Sequence, residues 1–537
     1  MTAAVALALA LSQVIPLPVP GRAGRAEPAA DARPLRPADV ASRSRAALEL
    51  LAEEDVAGAR AIVEPLLAAH PEARPVRLAA GVLRFYEQRY DEAVSLLERS
   101  GAGDDAGGFL ALARAARDTF KDDARLESDH FVIFTPRGKD EVLAPYAAET
   151  LEAQRAALEK DLGWAPPGKV TVEFLSSPKD LARLSTLTEQ EIRTSGTIAL
   201  CKFNKLMVVS PKALLKGYDW LDTVAHEYTH HVITGKTRDR TPIWLHEGIA
   251  KWSETRWRGA GGASFSPYSS ALLRDALRRD ALVTFAQMHP SMAKLPSQEA
   301  AALAFAEVET VVEFLVQRGG TPMVARALDL IAAGRTAEAA VAEALGLSVE
   351  RFLADWRRFM AARPVPRGGE HELKKLRFKD DPKHEGEWSE WAEVPDARAR
   401  GWARLGEIYR ERGKWTAARV EYAKAVHRVG TRVPILADQY AIAAMMSGRD
   451  ADAERTLAES IQWNPDHAAL HVHLARLLLK RKDLAGARQH LDVANRQDPL
   501  DPEIHAGLAI ALDGLGDPGA ASRERRFAEL LAHGDAR

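Results

Sequence analysis

The sequence predicts an α+β, mostly helical multidomain fold in which a small sheet and the helices after it lie between an N-terminal and a C-terminal helical-repeat array. Three observations predict it. Small residues recur with a spacing near 34 residues towards both ends of the chain, short β-branched runs gather between about 130 and 210, and helical patterning resumes from there to about 362. At 537 residues the chain is too long for one core. Its 73 Lys and Arg against 75 Asp and Glu leave a formal charge of −2, so charge gives no reason to expect nucleic acid or an anionic membrane as partner. A single cysteine, Cys201, excludes an intramolecular disulfide and a Cys-rich zinc site.

Taken in order, residues 1–26 come first, with an apolar run that ends at prolines and small residues near Gly24-Arg25-Ala26 where a signal peptidase can cut. They are read as a signal peptide lacking its basic start, which makes the protein secreted or periplasmic; without that signal it is cytoplasmic. No later stretch reaches the roughly 18 uncharged apolar residues of a membrane span.

Residues 40–122 carry a faint helix-turn-helix repeat, with Ala59 and Ala93 34 apart, Gly81 at the small position of a first helix, and Pro71 closing the first unit. So short an array should pack on the segment next to it. The β-branched runs 130–136, 169–177, 196–201 and 205–210, with a helix over 141–162, read as the small sheet. Residues 363–397 are charged and rich in Pro and Gly, a linker or irregular strap.

Over 398–535 the repeat is clear. Trp402-x-x-Leu405-Gly406-x-x-Tyr409 precedes Ala418, the first-helix small residue recurs as Ala441, Ala475 and Ala509, and the turn prolines Pro465 and Pro499 stand 34 apart. This is the tetratricopeptide period, in which small residues let paired helices cross closely. Such arrays bind proteins, so a protein partner is expected. The side chains expected to face its groove (Ala403, Glu407, Arg410, Asp438, Ile442, Val472 and Arg476) are mixed in character and lack a basic cluster for a peptide carboxylate.

Chemistry concentrates in TVAHEYTHHVITG, residues 223–235. Asp219 or Asp222 can cap a helix ending at Gly235, on which His226 and His230 lie one turn apart on one face and can reach one metal ion. Glu227, one position on, can take a proton from a bound water. Glu247, 17 residues past His230 and at the opening of the next helix after Pro242, is the candidate third ligand.

His226-Glu227-x-x-His230 followed by Trp244-Leu245-x-Glu247-Gly248 resembles the gluzincin zinc metallopeptidases, most closely the peptidase MA-like domains found beside tetratricopeptide repeats. The resemblance covers 126–362 and implies one Zn2+ per chain held by His226, His230 and Glu247, with Glu227 as general base. Two departures stand out. Lys251 occupies the place of an aspartate that orients a histidine in thermolysin-like members, leaving Glu254 as the nearest acidic substitute, and Phe305 stands where related domains often carry a tyrosine. Tyr228, Tyr268, His231 and His246 are candidate replacements for that tyrosine. Against that role, Tyr228 reads as core and the two histidines as support for the ligands or as surface groups.

The function implied is zinc-dependent hydrolysis of peptide bonds in a peptide or protein substrate, with 196–201 as the edge strand that pairs with it. The alternative is a tetratricopeptide scaffold that binds zinc with little or no turnover.

Overall fold

The computed structural model describes residues 36–101, 108–259, 267–289, 291–292, 295–364, 376–380 and 390–533. The leader read over 1–26 lies outside them. Packing divides the described residues into two compact units, one drawn from 1–137, 144–210 and 221–376, the other from 138–143, 211–220 and 377–537.

Unit one opens with two antiparallel helix pairs, α1 (Pro37–Ala52) with α2 (Val56–Ala69) and α3 (Arg74–Tyr86) with α4 (Tyr90–Ser100), before α5 (Phe109–Phe120). As expected, this array packs on the neighbouring segment. Phe85, Tyr86 and Phe109 all meet the ring of Phe203, with centroids 5.2 to 5.9 Å away.

The sheet has β1 (Ala124–Glu127), β2 (Phe131–Thr135), β3 (Val170–Leu175), β4 (Ala199–Lys202) and β5 (Lys205–Val209), in the order β1-β2-β3-β5-β4. Between β2 and β3 runs α6 (Leu143–Leu162), and between β3 and β4 come α7 (Pro178–Leu184) and α8 (Glu189–Ser195). β2, β3 and β5 are parallel, while β1 and β4 pair antiparallel at the two edges. β1 was not anticipated, because Ala-Arg-Leu-Glu holds no β-branched residue and its side chains only alternate between half-buried and exposed. The β4–β5 hairpin closes through Phe203 and Asn204, both left-handed at φ 57° and 60°, the two-residue turn that matches strand twist.

Helices then take over: α9 (Trp220–Thr237), α10 (Ile243–Ser253), α11 (Pro267–Arg279), α12 (Phe285–Met288), α13 (Gln298–Gly319), α14 (Thr321–Ala332), α15 (Ala337–Ala344) and α16 (Val349–Ala361). Strands first and helices after is the predicted α+β order.

In unit two, four helix pairs succeed one another: α17 (Ala397–Glu411) with α18 (Trp415–Val429), α19 (Pro434–Met446) with α20 (Asp450–Trp463), α21 (Ala468–Lys480) with α22 (Leu484–Gln497), and α23 (Pro502–Gly514) with α24 (Pro518–His533). The small residues Ala418, Ala441, Ala453, Ala475, Ala487 and Ala521 are fully buried, as close helix crossing requires. Three groove expectations fail. Ala403 and Val472 are buried in the helix-pair cores, and Asp438 is buried against His473, whose Nδ1 lies 2.6 Å from its carboxylate. Among the described residues, no helix is long and apolar enough to cross a membrane.

Candidate metal centre

The centre is built on α9 and α10. α9 runs past Gly235 to Thr237 and stops where Arg238 and Asp239 turn left-handed, so Gly235 is an interior residue and not the expected terminator. Its lack of a side chain has another cause. A Cβ there would lie 2.3 Å from the Trp164 ring.

One helical turn apart, His226 and His230 bring their Nε2 atoms within 3.1 Å of each other. Pro242 sets the start of α10, whose eleven residues are all buried, and one turn in Glu247 places Oε2 3.4 Å from each of those nitrogens. Trp244, stacked on Phe285 at 3.9 Å, holds this segment in place.

Three donors around a tetrahedral zinc with bonds of about 2.0–2.1 Å lie about 3.3 Å apart. The measured 3.1, 3.4 and 3.4 Å form such a face. Both Glu247 carboxylate oxygens are buried without a hydrogen-bond partner, an arrangement that costs several kcal/mol unless a cation answers it. The donor set of two imidazoles and a carboxylate therefore fits zinc.

The groups behind the donors set their protonation. For His230 to aim a lone pair at the centre from Nε2, its Nδ1 must carry the proton and donate to His246 Nδ1, 2.8 Å away. Burial pushes His246 down to about 3, so this acceptor is neutral at ordinary pH. Glu254 Oε2 sits 3.4 Å from His226 Nδ1, the place proposed for it from sequence, and Lys251 donates to the other oxygen of Glu254. Lys251 thus pairs with the carboxylate that faces His226. Buried Glu309 also faces Lys251, and its carboxyl is pushed up to about 8 by burial.

Burial works against a charged His226, yet the carboxylates of Glu247 and Glu254 outweigh it and raise the imidazole to about 9. Glu247 goes the other way. Despite burial, the two imidazoles hold it down to about 2.

Glu227 receives the backbone N–H of Cys201 on β4, while its Oε1 has no partner. Burial raises it to about 8. The link from Cys201 could not be read from sequence, because it depends on the edge strand lying against α9. The three glutamates Glu307, Glu309 and Glu313 in the stretch Ala304–Leu315 of α13 gave no sequence signal that singles out Glu309.

The remaining candidates divide. Tyr228 is core, fully buried with its ring edge-on to Phe131 at 5.1 Å. His246 stands behind His230, ring nitrogen to ring nitrogen. His231 is half-buried and held down to about 4 by that burial, Tyr268 stands at the second residue of α11 near Glu299, and Phe305 is a buried phenyl on α13.

Residues 150–362 match the family model described as the Peptidase MA superfamily, and residues 444–511 that of the tetratricopeptide repeat. The chain therefore carries a Peptidase MA superfamily domain followed by tetratricopeptide repeats. Among solved structures it is similar to two of native LTA4 hydrolase from the yeast Saccharomyces cerevisiae, at 11% and 12% identity over 76% of this chain and 67% of that one, each with a TM-score of 0.32. It is also similar to a structure titled MamA MSR-1 C2, at 16% identity over 26% of this chain and 83% of that one, with a TM-score of 0.23. No curated protein matches it.

Proposed function

We propose that the chain is a zinc-dependent peptide-bond hydrolase. The observation that carries this reading is the convergence of His226 Nε2, His230 Nε2 and Glu247 Oε2 at 3.1 to 3.4 Å, beside a glutamate with one unpartnered oxygen. Zinc, when bound there, supplies Lewis-acid polarisation of the scissile carbonyl and lowers the pKa of water. Glu227 Oε1 accepts the proton of the attacking water, and the same carboxyl returns it to the leaving amine nitrogen. Its raised proton affinity suits both halves of that exchange. An extended peptide pairs with the outer edge of β4.

Two variants test this. Glu227→Gln should keep one zinc per chain while hydrolysis of a peptide library falls by a factor on the order of 10² or more. His226→Ala should lose the metal itself.

The scaffold reading is favoured by Phe305 and by the burial of His226, Glu227, His230 and Glu247, none more than 2% exposed. Equal, near-zero cleavage by wild type and Glu227→Gln, both with zinc bound, would select it. Recovery of rate in Phe305→Tyr would then trace the loss to a missing hydroxyl at the developing oxyanion.

A further inference from the structure

Each helix pair in both arrays turns through one left-handed residue, placed two positions after the end of its first helix. In the C-terminal pairs these are Gly413, Gly448, Lys482 and Gly516, at φ 67°, 76°, 66° and 87°. The equivalents in the N-terminal pairs are Glu54 and Gln88, at φ 58° and 56°. Glycine suits this backbone and a side chain costs strain there. Exposed Lys482 shows that the strain alone means little. What distinguishes Glu54 and Gln88 is where their side chains go.

Both meet the β4–β5 hairpin. Glu54 accepts the two backbone N–H groups of the turn, Phe203 N at 3.0 Å and Asn204 N at 2.8 Å, one on each carboxylate oxygen. Gln88 donates to Phe203 O at 3.4 Å and to Tyr86 O at 2.6 Å, and accepts from Thr171 Oγ1 at 3.1 Å. The Phe203 ring is buried among Phe85, Tyr86 and Phe109. At the start of β5, buried Lys205 bonds Tyr90 on α4 at 2.8 Å and Glu173 on β3 at 2.6 Å. The hairpin turn is thus gripped by the repeats at its backbone, its aromatic ring and its lysine.

Two residues before the turn stands Cys201. The register pairs Lys202 with Lys205 next to the turn and Cys201 with Leu206, which directs the Cys201 N–H away from β5 towards the open edge, where it meets Glu227. A shift of the turn therefore reaches the candidate base through two residues of rigid strand.

We propose that Glu54 and Gln88 are positioning residues of the hydrolytic site. They clamp the β4–β5 hairpin so that Cys201 holds the Glu227 carboxylate, which makes α1–α4 a part of the catalytic unit and not an arm for recruiting partners. For the role of Glu227 this rests on the hydrolase reading.

The test compares zinc-loaded, full-length wild type with Glu54→Gly, Gln88→Gly and the double variant. Glycine eases the left-handed turn while deleting the clamp, so a role confined to repeat folding predicts no loss of order in the hairpin. The expected result by hydrogen–deuterium exchange is unchanged protection in α1–α4, with exchange at 199–204 faster by about 10-fold or more in the double variant. Zinc should stay at one per chain, and kcat should fall about 10-fold with KM within about 2-fold of wild type. Glu54→Gln, which keeps one acceptor oxygen, should recover part of the protection. Wild-type protection at 199–204 in the double variant overturns the proposal, and so does a loss of protection spread through α1–α4. If wild type itself shows no hydrolysis, the hydrolase reading fails, and the exchange data still decide whether the clamp exists.

Discussion

At Gly248, directly after the third donor, a Cβ would lie 2.6 Å from the carbonyl oxygen of Val308 and 3.0 Å from its carbon. These are backbone atoms of α13, which cannot swing aside as a side chain can, so Gly248→Ala must push α10 away and carry Glu247 with it. We expect a loss of about 1–3 kcal/mol in stability and weaker zinc retention in a chelator competition. Unchanged melting and unchanged metal affinity would show that the close approach has no bearing on the site. The same residue shows what can be read from a motif. Trp-Leu-x-Glu-Gly was legible as a string, and Glu247 as a donor, but the need for glycine was not, because the atom it avoids lies 60 residues further along the chain. Gly235 was misread for a related reason: a glycine late in a helix looks like its end, and only the Trp164 ring shows otherwise.

Two helix pairs of the C-terminal array repeat one device with different chemistry. In α21, His471 reaches Pro465 O with Nε2 and His490 Nδ1 with Nδ1, at 2.9 Å each; in α23, His505 makes the same two contacts at 2.8 Å, to Pro499 O and to Glu524. Each residue is 34 beyond its counterpart, so a carboxylate in one repeat stands where an imidazole stands in the other. Burial holds His471 down to about 4 and lowers His490 too. With a value near 6.5 when unfolded, His471 binds its proton first in the unfolded chain, so its contribution is full above about pH 6.5 and is lost as pH falls towards 4, by about 3 kcal/mol at most. His490→Glu should copy the other pair and flatten that decline, read as denaturant midpoints between pH 7 and 4.5. Equal pH slopes in variant and wild type would show that the histidine pair is not what titrates. Elements of this kind were legible where a period repeats, as in the array, or where β-branched residues gather, as in β2, β3 and β5. β1 escaped because its place is set by pairing with β2 and not by its own composition.

At the scale of the whole chain, the reading from sequence set 211–220 within the hydrolase domain, whereas packing groups these residues with 377–537. Leu214 bridges Phe378, with Leu215 N bonded to Arg377 O at 3.0 Å and Lys379 N to Ala213 O at 2.8 Å. Tyr218 N then donates to Gln497 O at 3.1 Å, and Trp220 Nε1 to Asn495 O at 3.0 Å. Both side chains are buried, and Trp220 is the first residue of α9, the helix that carries His226 and His230. No local pattern reports this, because the partners are 275 or more residues apart and the acceptors are backbone oxygens. Deleting residues 398–537 removes both acceptors, at the start of the helix that carries His226 and His230. We expect the truncated chain to melt lower by about 5 °C or more, with red-shifted tryptophan emission and looser zinc. Gly217→Ala tests the same contact in the full chain. At φ 63° with Gln497 O only 1.9 Å from an added Cβ, the substitution must part residues 211–220 from the α22–α23 turn without removing a helix. It should reproduce part of the truncation's effect on emission and zinc retention. A truncated chain that melts and binds zinc as wild type does would show instead that α9 keeps its geometry from unit one alone.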